Sequence, residues 1–462
     1  MGIEKEHDLS PEPSSASSDD ENAPQDIPIE QLDPEKAIEV TDDTGKPLSG
    51  PQRVPTPNLI SPPPNGGLQA WLHVLAGCML FFNTWGILNA FGVYQTYYEA
   101  GTLFQESSSN IAWIGSIQAF MVLLVGFFSG PIFDRGYLRH LMAVGSFLVV
   151  FGHMMLSICK TYWEVLLAQG FCIGIGAGCL YVPSVAILPT YFSTKLGLAI
   201  GLAAAGSSLG GVIYPIVFYR LINEVGYGWG VRVMGFMALV TLIIPLVVMR
   251  MRLRPAKPRA LIDWEAFVDF EFMLFTVGTL IGFMGLYVML FYLSYYASAE
   301  RITDSAMAFY VVPILNGAST FGRTLPNALS DYAGPLNLIV PGAIAVGIII
   351  FCMLVVTSEA AIIVCAILFG FFSGVFIALP PVTFVILTKD KSRIGTRIGM
   401  GFGIIGFGVL AGGPGGGNIL GENPPYNWTG LWVFGGVSAL ASGAIFAFLR
   451  FWRTGFKLKV KA

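Results

Sequence analysis

The chain is 462 residues long, 54% hydrophobic and 12% charged, with a formal net charge of -3. An ordinary soluble domain carries charge on roughly a quarter of its residues, so this composition excludes a water-solvated enzyme or nucleic-acid-binding protein and makes lipid the main solvent. The charge is uneven, with 14 Asp/Glu against 4 Lys/Arg in residues 1–65 and 15 against 22 in the remainder, so an acidic tail precedes a basic membrane body.

Residues 1–67 are rich in Glu, Asp, Ser and Pro and end in Ser61-Pro62-Pro63-Pro64-Asn65-Gly66-Gly67. They can bury too little apolar surface to offset the entropy of ordering, and a disordered cytosolic tail is expected. Its polar start lacks the basic and apolar regions of a cleavable signal, which leaves insertion to the first span. A helix needs about 20 apolar residues to cross the hydrocarbon core. Such spans are predicted near 70–97, 110–130, 140–159, 164–189, 196–220 and 231–250, then near 268–297, 304–329, 336–357, 360–387, 395–420 and 429–451. The fold class expected is an all-α membrane protein with twelve transmembrane helices in two six-helix lobes, 68–250 and 268–455. A cytosolic linker at 251–267 joins them, and a basic cytosolic tail follows at 456–462.

Lys and Arg in short loops stay on the cytosolic side. With the N-terminus cytosolic, Arg135, Arg139, Lys195, Arg250, Arg252, Arg254, Lys257, Arg259, Lys389, Lys391, Arg393, Arg450, Arg453, Lys457, Lys459 and Lys461 fall inside. Little more than Lys160, Arg220, Arg232 and Arg301 falls outside. Both termini are therefore placed in the cytosol, at the plasma membrane or alternatively the vacuolar membrane.

The halves also repeat. Lys195-Leu-Gly197-Leu-Ala-Ile200-Gly201 matches Arg393-Ile-Gly395-Thr-Arg-Ile398-Gly399 at an offset of 198, Gly170-Phe-x-x-Gly174 matches Gly370-Phe-x-x-Gly374 at 200, and Asp134 matches Asp331 at 197. A nearly constant offset implies duplication in parallel orientation, which puts a substrate site near the bilayer midplane between the lobes. Glycines four residues apart read as close helix packing. Gly401-Phe-Gly403-Ile-Ile-Gly406 formally matches a dinucleotide fingerprint but follows no strand, and reads as packing too.

The loop Gly130-Pro-Ile-Phe-Asp134-Arg135-Gly136-Tyr-Leu-Arg139 resembles the cytosolic signature of the major facilitator superfamily, with a degenerate second copy around Asp331. Asp134 can approach the positive end of a helix, and Arg135 and Arg139 are expected to pair across the lobe interface as a conformational gate that also includes Asp331 and Lys195. A plain basic turn is the competing reading. Asn65-Gly66-Gly67-Leu-Gln-Ala-Trp71, before the first span, and the run from Tyr191-Phe192-Ser-Thr-Lys195 to Gly206-Ser207, opening the fifth, are similar to paired signatures of the monocarboxylate porter family, particularly its fungal branch. The resemblance covers residues 65–455, with Asn65 where the family has Asp. It implies that Arg323, in the eighth span, meets the substrate carboxylate through two parallel hydrogen bonds. Ser319 replaces the family's acidic partner, Asn89 replaces its first-span cation, and Trp85 takes an aromatic substrate-facing position, so proton coupling is not inherited automatically.

Arg323 is also reached without the family. A charge inside a span costs about 2.5–3.5 kcal/mol on insertion scales, and Arg323 is the basic residue lying well inside a predicted span; snorkelling or pairing with Asp331 is the competing reading. Asn316 and Ser319 offer hydrogen bonds nearby, and Tyr287 and Tyr292 are candidate cavity linings. No Asp or Glu falls in the middle of a predicted span, so a co-transported proton would travel on the substrate's own carboxyl. Asp263, Glu265, Asp269 and Glu271 read as charges suited to a helix N-terminus. The six cysteines lack metal or redox spacing. The function expected is a secondary active or facilitative transporter of small organic solutes, monocarboxylates or related organic acids first, working by alternating access. The alternatives are an exporter of a secondary metabolite, a carrier of a neutral vitamin-like solute, and a non-transporting nutrient receptor. No catalytic residue, cofactor, metal or nucleic-acid partner is expected; the partners are a small-molecule substrate, with or without a proton, and the lipid bilayer.

Overall fold

A computed structural model of the chain describes residues 63–252, 259–390, 393–455 and 460, with the side chain of Asp331 excepted. The acidic tail up to residue 62, Arg254, Lys257, Lys391 and all of 456–462 but Val460 lie outside the described residues. Among the described residues eleven helices are long and apolar enough to cross a membrane: α1 (Leu68–Glu99), α2 (Ser108–Asp134), α3 (Leu138–Leu156), α4 (Tyr162–Thr190), α5 (Leu196–Glu224), α6 (Gly226–Val248), α7 (Phe270–Ala299), α9 (Pro335–Val355), α10 (Glu359–Leu387), α11 (Ile394–Leu420) and α12 (Trp428–Thr454). Between α7 and α9 stands α8 (Ser305–Ala333), 29 residues long. It is less apolar than the rest because Asn316, Ser319, Thr320, Arg323, Thr324 and Asn327 interrupt it. Among the described residues there is no strand.

Two local features shape the spans. The loop expected between 220 and 231 is absent: α5 runs to Glu224 and α6 begins at Gly226, whose φ of 79° turns the chain without strain for a residue lacking a Cβ. Within α1 the helix is interrupted at Thr84 and Ala90. Asn83 Nδ2 donates to the Met79 carbonyl at 2.7 Å and Thr84 Oγ1 to that of Leu80 at 2.9 Å. Side chains that bond the preceding turn's carbonyls bend helices, and here they set Trp85–Asn89 apart as a separate turn.

The duplication is written into the packing. A Cβ at Gly206 or Gly210 of α5 would collide with the carbonyl oxygen of Cys78 or Phe82 of α1, and one at Gly408 or Gly412 of α11 with that of Leu280 or Met284 of α7. Every member of the second set lies 202 residues after its counterpart. Gly211 and Gly413, also 202 apart, face the opposite half, the first against the Asn316 side chain and the second against Ser116. Likewise Gly174 of α4 lies over the Gln118 carbonyl and Gly374 of α10 over that of Ser319. The backbones approach because no side chain intervenes, so equivalent helices of the two halves meet at equivalent depths.

Candidate functional site

The break in α1 lays Trp85–Asn89 against α5, where Gly86 and Gly210 meet so closely that neither has room for a Cβ. Asn89 Nδ2 donates to the Ser207 carbonyl of α5 at 3.4 Å. The Ser207 hydroxyl accepts from Nη1 of Arg323 in α8, and Arg323 Nε donates to Ser319 Oγ at 3.2 Å. Three helices thus converge on one guanidinium through Asn89, Ser207 and Ser319. Arg323 is 4% exposed, so it does not snorkel, and among the described residues no carboxylate forms an ion pair with it. Asn316, two turns before it, donates to the Val312 carbonyl at 3.0 Å and packs on Gly211.

Aromatic rings bound this polar centre. Trp85 meets Tyr181 of α4 edge-on at 5.7 Å, and Tyr181 in turn lies 6.4 Å from Phe402 of α11. Tyr287 is buried close enough to Arg323 to interact with its charge and stands edge-on to Phe291 at 5.4 Å. Tyr292 is placed elsewhere. Its hydroxyl donates to the carbonyls of Ser108 and Gly413 at 3.3 and 3.0 Å, near the start of α2. Five residues along α7 correspond to about 7 Å of rise and 140° of rotation from Tyr287, which turns Tyr292 out of the Arg323 cluster. Ser207 and Tyr181 were absent from the expected site, although Ser207 closes one of the signature runs.

A second polar cluster lies where the α6–α7 connection crosses the ends of α2 and α11. Asp134 accepts Nε of Arg259 at 2.5 Å, Nη2 at 2.8 Å and the Arg259 backbone N–H at 3.1 Å. The Arg259 guanidinium also lies against Gly130 of α2 and Gly395 of α11, so it is wedged between the halves. Asp263 accepts Arg393 Nη1 at 3.0 Å and Arg397 Nε at 2.9 Å, Glu265 accepts Arg393 Nη1 at 2.5 Å, and Asp269 accepts Arg397 Nη1 at 2.7 Å. Burial pushes the Asp263 carboxyl up, but the hydrogen bond and charge of Arg397, with the charge of Arg393, outweigh it and hold the group below the usual carboxylate range. The expected pairing of Asp134's neighbours is corrected here: Arg135, Arg139 and Lys195 are exposed and form no ion pair among the described residues. It is Arg259 that folds back onto Asp134, from 125 positions along the chain. The Asp331 side chain lies outside the described residues. Asp263 and Asp269 cap the turns they precede, accepting the N–H groups of Glu265 and Phe272, and in addition bind the α11 arginines.

The two signature runs touch. Asn65 Oδ1 accepts the Ser193 and Thr194 N–H groups at 2.6 and 2.9 Å, and its Nδ2 donates to the Pro63 carbonyl at 3.2 Å, a bond that an Asp could not make. His73 stacks on Tyr191 at 4.1 Å. Gly401, Gly403 and Gly406 lie inside α11, packed on phenylalanines of α2 and α10 rather than opening a loop. Among the described residues no group of His, Cys, Asp and Glu could hold a metal.

A profile of the Major Facilitator Superfamily matches residues 74–383. The chain is 66% identical over 381 residues to the MFS-type transporter dbaD of Emericella nidulans, covering 82% of this chain and 86% of that one. It is 36% identical over 390 residues to the aspyridones efflux protein apdF of the same organism, covering 83% and 80%. Among solved structures, a mutant of the peptide transporter POT in complex with sulfate superimposes with a TM-score of 0.67 at 13% identity, over 85% of this chain and 97% of that one, a likeness of fold alone. These matches are to membrane carriers rather than to enzymes, and the chain belongs to the Major Facilitator Superfamily, as a transporter.

Proposed function

We propose that the protein exports a small oxygenated organic acid, of the kind made as a secondary metabolite, by alternating access around Arg323. The observation that carries this reading is a buried guanidinium, bonded to two serine hydroxyls and, among the described residues, to no carboxylate. A charge removed from water without a counter-charge costs several kcal/mol, and a bound anion supplies that counter-charge together with acceptors for the remaining N–H groups. The name of the aspyridones efflux protein supports the outward direction. The monocarboxylate porter signatures support the acidic group, and the aromatic wall from Trp85 to Phe402 suits an unsaturated body larger than a simple metabolite. The basic residues around the α6–α7 connection favour a cytosolic position for that end, with both termini inside and the plasma membrane as the site of export. A proton, where one accompanies the anion, travels on the substrate's own acid.

The test is flux of labelled aromatic and aliphatic monocarboxylates in proteoliposomes, with and without a pH gradient, for the wild type and Arg323→Ala. Saturable flux lost in the variant is expected, and its response to the gradient separates proton-coupled from facilitated movement. Transport of neutral solutes alone, by folded protein and indifferent to Arg323→Ala, would overturn the reading.

A further inference from the structure

Opposite the arginine, the first half holds a polar side chain for which the fold provides no use. Gln118 of α2 is 1% exposed, and among the described residues neither its Nε2 nor its Oε1 has a hydrogen-bond partner. An amide with both polar atoms unpaired in a low-dielectric interior is costly, and roughly midway along a transmembrane helix no bulk water offsets that cost. Its position is not arbitrary. Gly174 lies over the Gln118 carbonyl and Gly374 over that of Ser319, so these two residues, 201 positions apart, occupy equivalent places in the repeated halves. Ser319 turns its side chain to Arg323. An equivalent orientation of Gln118 would aim its amide at the centre from the other half.

We propose that Gln118 is a second anchor of the substrate site, binding a carbonyl or hydroxyl group of a substrate whose acidic group meets Arg323. A carboxamide presents an acceptor and two donor hydrogens in one plane and pairs with a neutral oxygen function without adding charge. The ligand class is therefore an anion that carries, at some distance from its acid, a hydroxyl or keto group. One anchor stands in each half, so such a molecule touches both and senses their relative movement. This inference rests on the organic-acid reading above.

The experiment compares labelled 4-hydroxybenzoate with labelled benzoate in proteoliposomes, for the wild type, Gln118→Leu and Gln118→Met, alongside the melting temperature of each purified protein. The wild type is expected to prefer the hydroxylated acid. Either substitution should lower that preference about tenfold, leave benzoate flux within about twofold, and leave the melting temperature equal or higher, because an unpaired amide has been removed. An unchanged preference overturns the inference while the organic-acid reading stands. If neither acid moves, the organic-acid reading fails and this inference falls with it. Variants that melt lower have lost a structural bond and sink the assignment, whereas variants that melt higher support an amide kept for a ligand.

Discussion

Among the described residues hydroxyls rather than a carboxylate hold Arg323, and this fixes what a conservative replacement should do. Lysine at 323 keeps the charge but lacks the planar fork that reaches Ser207 and Ser319 while leaving N–H groups for an anion. Losing one charge-assisted hydrogen bond, about 1.5–3 kcal/mol, is expected to raise the KM for a transported organic acid about tenfold or more in Arg323→Lys. Flux should remain above that of Arg323→Ala; equal loss in both variants would mean that charge plays no part. Arg323, Ser319 and Asn89 were legible in the sequence because polar groups stand out in apolar runs. Ser207 was not, since within Gly206-Ser207-Ser208 it resembles the small residues that merely let helices approach. Tyr292 shows what sequence leaves open for an aromatic candidate: helical rotation carries its hydroxyl to Ser108 and Gly413 rather than to Arg323.

Among the helices, the paired glycine seats make an expectation that can be checked twice in one molecule. Gly206→Ala and Gly408→Ala each push a methyl group against a carbonyl of α1 or α7, an overpacking that costs about 1–3 kcal/mol. Both variants are expected to lower the melting temperature by similar amounts in detergent, and a loss at one position only would contradict the equivalence of the halves. The sequence repeat announced this duplication at offsets between 197 and 200, whereas the α5 and α11 seats share an offset of 202. Motif matching saw only the conserved lettering, and the packing of carbonyl on glycine involves partner residues of unlike type, such as Cys78 and Leu280. Hydropathy marks eleven of the helices, and α8 is the hardest to read because of its polar stripe. The one-residue turn at Gly226 was missed, since a glycine among apolar residues does not declare its φ.

For the molecule as a whole, the α6–α7 connection is a clasp rather than a tether, with Arg259 gripping α2 and Asp263 gripping α11. Asp134→Asn would leave Arg259 without its counter-charge, and is expected to reduce kcat for transport at least tenfold while changing KM little. A KM effect as large as the kcat effect would place Asp134 in substrate binding instead. Because Asp263 is held below the usual carboxylate range, its contribution to stability is complete above the unfolded pKa of about 4 and is lost as pH falls through the lower folded value. Melting temperature should therefore be flat from pH 5 to 8 as far as the clasp is concerned. None of this pairing could be read from the loop signature, because nearness in sequence to Asp134 favoured Arg135 and Arg139.

On the organic-acid reading, the guanidinium at the centre would also give the carrier an electrical asymmetry. Arginine stays charged in proteins, so the empty carrier holds a positive centre and the carrier loaded with a monovalent anion holds none. Membrane voltage, worth about 2.3 kcal/mol per elementary charge per 100 mV across the full field, then acts on the return of the empty form and leaves the loaded step nearly untouched. The empty centre is drawn to open toward the negative side of the membrane, which in a living cell is the side where a newly made acid accumulates, so resting potential alone would reset an exporter of this design.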